Sequence, residues 1–183
     1  HLECAFKVYL QHQPQRGIQG FVGPGAKDQL HLKLDKLFQQ QLPLSQHSSV
    51  TAQLDKPVGR RLAWLKGWLF YPWEAPHEVI HGLAAHHPHG WWQTLGSARQ
   101  RLQQSRSQWI LLPRSRWISP VWLAAGTPTY TGTQMSEWLE QHFANIHTPQ
   151  LLVELLSSNS GMLEKSRGFV VDETWPEAHF LAK

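Results

Sequence analysis

Apolar and polar residues alternate from Leu2 to Leu10, with Glu3, Ala5, Lys7 and Tyr9 on one face and Leu2, Cys4, Phe6, Val8 and Leu10 on the other. A period of two is the mark of a strand. The pattern begins at residue 2 with no cap or leader before it, so the chain reads as the C-terminal portion of a longer, N-terminally truncated protein. Pro14, Gly17, Gly20, Gly23, Pro24 and Gly25 then punctuate a short strand over 18–22. After them the period changes. Leu30, Leu34, Leu37 and Phe38 recur at helical spacing, which predicts a helix over 26–41 with Lys27, Lys33, Asp35 and Lys36 off its buried stripe.

Residues 45–60 are polar, and 61–72 predicts a strand centred on 68–71 that Pro72 and Pro76 stop. Ser97 with Gln100 forms a capping-box pattern for a short polar helix to about residue 106, followed by strands over 108–112 and 117–122. Thr133 is placed to cap a helix whose Met135, Trp138, Leu139, His142, Phe143 and Ile146 share a face. Thr148-Pro149 predicts one more helix, ending before 157–161, and 168–171 a late strand. Interleaved strands and helices predict one α/β domain over 1–183, a mixed sheet with flanking helices.

Composition narrows the classes. At 183 residues the chain suits a single core, and no apolar run approaches the ~20 residues that cross a bilayer. Seventeen Lys and Arg against thirteen Asp and Glu give +4 and a pI near 9.4, which suits an anionic partner such as DNA. The one cysteine, Cys4, excludes an internal disulfide, and with no secretory leader the expected compartment is cytoplasmic. The sequence has no nucleophile elbow, no P-loop and no dinucleotide glycine fingerprint, so the serine hydrolase, NTPase and Rossmann readings fall away.

Two constellations carry chemistry. Glu3 and Lys7 face the same way, and a carboxylate with an ammonium can bind a metal and polarise a phosphate. Four strand residues separate their Cα atoms by about 13 Å, so the long lysine stem has to bridge the gap, and a solvated strand face explains the pair equally simply. The second is His77-Glu78-Val79-Ile80-His81, an HExxH string that on a helix would place two imidazoles on zinc and a glutamate on water, with His87 at third-ligand spacing. Pro76 before it and Gly82 after it leave little helix to hold it, and His86, His87 and His89 make this a His-rich run that could take up metal without catalysis. Trp64, Trp68, Trp109, Trp117 and Trp138 fall in element patterns and read as core, whereas one of Trp91 and Trp92 should be exposed. Arg114 and Arg116, in a turn after Pro113, could grip phosphate.

The blocks HLECAFKVYL, FVGPGAKDQLHLKLDKLFQQQLPLS, LKGWLFYP, HPHGWW and WILLPRSRW, with the tail RGFVVDETWP, resemble a proteobacterial domain-of-unknown-function family. That family is similar at fold level to the PD-(D/E)XK nuclease-like superfamily. The resemblance implies a restriction-endonuclease-like fold, Glu3 as ligand to a divalent ion such as Mg²⁺, Lys7 as charge stabiliser, and DNA as substrate. Lys27, Lys33 and Lys36, with Arg114 and Arg116, would then meet the phosphate backbone. Metal-dependent phosphodiester cleavage is the leading expectation. The alternatives are a zinc metallopeptidase through residues 77–81 and a non-catalytic nucleic-acid-binding or scaffold module.

Overall fold

β1 (Leu2–Gln11) carries the predicted alternation into a mixed sheet, where it pairs in parallel with β3 (Leu62–Pro72) over nine consecutive rows, from Leu2 beside Leu62 to Leu10 beside Phe70. The computed structural model describes residues 1–75 and 80–177. A short 3-10 segment, Pro14–Gly20, returns the chain to β2 (Phe21–Val22), which pairs antiparallel with Leu10 and Gln11. Among the described residues the sheet has nine strands, in the order β2-β1-β3-β4-β9-β8-β5-β7 with β6 beside β9. Its parallel centre runs β1, β3, β4 (His89–Thr94) and β9 (Gly161–Val171), and its antiparallel half adds β8 (Gln150–Ser158), β5 (Gln108–Leu111) and β7 (Tyr130–Thr131). β6 (Trp122–Ala124) pairs antiparallel with the start of β9.

The two faces are covered differently. One buries Leu10, Phe70, Leu151, Val153 and Phe169 beneath Leu112, Val121 and Trp175, which come from irregular segments. The other carries the helices. α1 (Leu30–Asp35) sets Leu30 against Tyr9, Phe21 and Tyr71. α2 (Ser48–Thr51) is a single turn in the polar stretch. α3 (Leu95–Gln104) and α4 (Gly132–Phe143) bury Ala98, Leu102, Met135, Leu139 and Phe143 against Trp91, Trp109, Leu152 and Val170.

Several expectations change. Residues 148–149 are irregular and 150–158 form β8, with no helix. Leu151, Leu152, Val153 and Leu155 are all buried, because the strand lies inside the sheet and has core on both faces. A strand whose inner residues are buried on both faces, Glu154 among them, has no period to separate it from a helix. The helix expected over 26–41 starts only at Leu30, since Ala26 turns at φ 53°, and after α1 it continues as a wide i→i+5 helical segment over Lys36–Gln41. The extra residue in that segment rotates the stripe. Leu37 stays buried, while Phe38 is exposed. Where a strand is expected over 117–122, residues 117–121 are irregular chain following a 3-10 turn at Arg114–Arg116, and β6 starts only at Trp122.

Capping also moves. Thr131, two residues before the expected cap, closes a capping box with Gln134 at the start of α4. Ser97 lies inside α3 and bonds Gln93 and Glu74 instead of capping. Trp64 is half exposed, so it is not core. Of the Trp91-Trp92 pair neither is exposed. Trp91 is buried with its ring laid across Gly168, where a Cβ would come within 2.0 Å of it, and the Trp92 indole donates to Gln11 O.

Candidate nucleic-acid interface

The β2–α1 loop folds back along β1 through two short backbone bonds, Gly23 N to Asp28 O at 2.7 Å and Ala26 N to Gly23 O at 2.8 Å. This presents Asp28 to β1. Its carboxylate accepts from Lys7 Nζ at 2.5 Å and from the Tyr9 hydroxyl at 3.2 Å. Burial, reinforced by the Asp28 charge and hydrogen bond, holds the Tyr9 hydroxyl well above the usual phenol range, so Tyr9 stays a donor.

Across β1 from this loop stands the 112–118 segment. Between them is a cleft of about 770 Å³ that Lys7, Lys27, Asp28 and Arg114 line with Phe6 and Ile118. Arg167 fixes the far wall. Its side chain is fully buried and stacks on Trp68, bonds both Glu164 oxygens, and donates to Trp117 O at 2.6 Å and Ser119 O at 2.7 Å. A guanidinium with five fixed donors ties that irregular chain to β9. Lys7, Lys27 and Arg114 thus converge from segments far apart in sequence.

The other expected site residues lie elsewhere. Glu3 sits toward the start of β1, outside the lining of the cleft, with His1 Nε2 2.6 Å from its carboxylate. Lys33 donates to Gln41, and Lys36 and Arg116 are exposed outside the lining. His77 and Glu78 lie outside the described residues. His81 is exposed in a turn closed by Leu83 N to Ile80 O. The His87 ring spans Ala84 O at 2.7 Å and the Tyr71 hydroxyl at 2.9 Å, and burial pushes that hydroxyl up to about 12. Among the described residues there is no group of three or more His, Cys, Asp or Glu that could hold a metal.

One cluster has no counterpart in the sequence reading. Glu154 of β8 is buried and accepts from Ser107, Lys165 and Ser166 at 2.7–2.9 Å. The Arg101 guanidinium lies 3.5 Å from it and stacks over Trp73 and Trp91, 3.7 and 4.1 Å from their ring centroids. With its oxygens taken up by these donors, Glu154 clamps β5, β8 and β9 to α3. Reading 148–156 as a helix hid it, because the neighbours that matter are cross-strand.

Among the described residues no helix is long and apolar enough to cross a membrane. A family model described as "Domain of unknown function (DUF1853)" matches residues 1–171. No curated protein and no solved structure matches.

Proposed function

We propose a function for a chain that belongs to the domain-of-unknown-function family DUF1853: the cleft over β1 binds the phosphate backbone of nucleic acid. One observation carries this reading, the convergence of Lys7, Lys27 and Arg114 on a single cleft. Clustered cations of this kind release counterions from a polyphosphate and so gain affinity without reading sequence. The sequence resemblance to PD-(D/E)XK nucleases, if it extends to the fold, would imply the same ligand, DNA, and a restriction-endonuclease-like core. In such a core Mg²⁺ would sit at Glu3. The donor set does not fit such an ion, because Glu3 is partnered by His1 and the described residues offer no cluster of three ligands. No cleavage step is therefore derived, and binding is the reading preferred over catalysis. No observation favours the zinc-peptidase alternative.

The test is fluorescence anisotropy with a labelled 20-nucleotide DNA. With Lys7 engaged by Asp28, two phosphate contacts, at Lys27 and Arg114, give a slope of log K against log salt of about −1.4 to −1.8, which is a loss of roughly 7- to 12-fold between 50 and 200 mM salt. Lys27→Ala and Arg114→Ala should each reduce the slope by about one. Binding that ignores salt, or variants that bind like the parent, would refute the proposal. Mg²⁺-dependent loss of the oligonucleotide that Glu3→Ala abolishes would replace binding by cleavage.

A further inference from the structure

We infer that the sheet surface beside the cleft is a stacking platform for the unpaired bases of single-stranded nucleic acid, an inference that rests on the phosphate-binding reading above. On one face of the β1–β3 pair the rows run Leu2/Leu62, Cys4/Trp64, Phe6/Lys66, Val8/Trp68 and Leu10/Phe70. The last two rows belong to the covered core, whereas the first three emerge from it. Phe6 is 63% exposed and Trp64 53%. Phe6 also lines the cleft beside Lys7 and Arg114, so the phosphate-binding groups and the aromatic face are continuous.

Charge complementarity selects the occupant. Lys66 Nζ stands 4.4 Å from the centre of the Trp64 ring, and Lys27 and Arg114 line the adjoining cleft that Phe6 shares. The carboxylates of β1 and of its flanking loop are already engaged, Glu3 with His1 and Asp28 with Lys7. An apolar peptide would leave these cations unused. A strand of nucleic acid uses both parts, bases on the rings and phosphates on the cations. A base settling on Trp64 takes the place of the Lys66 ammonium and leaves it for a phosphate.

Spacing decides between one strand and two. Phe6 and Trp64 lie one row and one strand apart, which is roughly 8 Å from strand spacings of about 4.8 Å and 3.3 Å per residue. That is more than twice the 3.4 Å per base of a duplex strand. Bases on both rings must be splayed, which a single strand permits and a duplex resists.

The experiment measures anisotropy of three labelled 20-mers with the full chain: oligo-dT, a duplex, and an abasic strand that keeps the phosphates and lacks the bases. The expected order is oligo-dT tightest. Phe6→Ala and Trp64→Ala should each weaken oligo-dT roughly tenfold, the scale of base–aromatic stacking, and leave the abasic strand unchanged. Phe6→Tyr and Trp64→Phe should restore binding. Because both side chains are exposed, the variants should keep the parent's thermal midpoint, which serves as the folding check. Equal affinity for all three probes, with both alanine variants like the parent, overturns the stacking inference and leaves phosphate binding intact. Failure to bind any probe at low salt overturns both.

Discussion

Arg167→Met removes a side chain that is fully buried and bonded on every side. It leaves the Glu164 carboxylate without its buried partner, and breaking such a pair costs about 3–5 kcal/mol. The carbonyls of Trp117 and Ser119 lose their donors as well, which adds to the cost. Methionine recovers part of the packing on Trp68. Taking about 4 kcal/mol as the net loss, a chain of this size should melt roughly 8–16 °C lower. Thermal unfolding followed by far-UV circular dichroism measures this directly. Glu164→Met in the same background removes the stranded charge, so the double variant should recover at least about 1 kcal/mol relative to the sum of the single losses. The folded fraction of Arg167→Met should also bind DNA more weakly, since the wall that carries Arg114 has lost its tie to β9. A fall of less than about 3 °C, or strictly additive losses, would refute the claim that this ion pair holds the 112–121 segment.

Two further predictions concern stability. Burial by itself raises the Glu154 carboxyl, but the donors Lys165, Ser107 and Ser166 outweigh it and hold the group below its usual value of 4.5. The folded form therefore binds its proton less readily than the unfolded chain. This contribution is complete above about pH 4.5 and is lost as pH falls through the lower folded value. Glu154→Gln should flatten the fall of the melting temperature as pH drops below about 4.5, and an unchanged acid limb would contradict the assignment. Thr131→Ala removes the N-cap of α4 and one half of its capping box, at a cost of about 1 kcal/mol or some 2–4 °C, whereas Thr131→Ser keeps the hydroxyl and should melt like the parent.

Legibility followed the range of the interaction. β1, β3, β5 and α4 were readable because alternation or a 3.6-residue stripe is a local property, repeated along four or more residues. β8 was not, because a strand buried on both faces shows no alternation. With it went Glu154, whose partners are Lys165 and Ser166 on neighbouring β9 and Ser107 just before β5. Lys27 could be named from sequence as a cation off the buried stripe of an expected helix, and Arg114 as a cation in a turn. Their meeting with Lys7 at one cleft could not be.

The sequence by itself determined the α/β class, the basic balance and most of the elements, since composition and short-range period are set residue by residue. The tertiary structure alone decided that β1 and β3 lie side by side in parallel, so that Phe6 and Trp64 share an exposed face. It also decided which charges matter. A lysine on a strand is one of many until Asp28, twenty-one residues later, is folded against it and a buried arginine from β9 fixes the opposite wall. Such pairings depend on the register of distant segments, and chain closure over those separations leaves no periodic trace in the sequence.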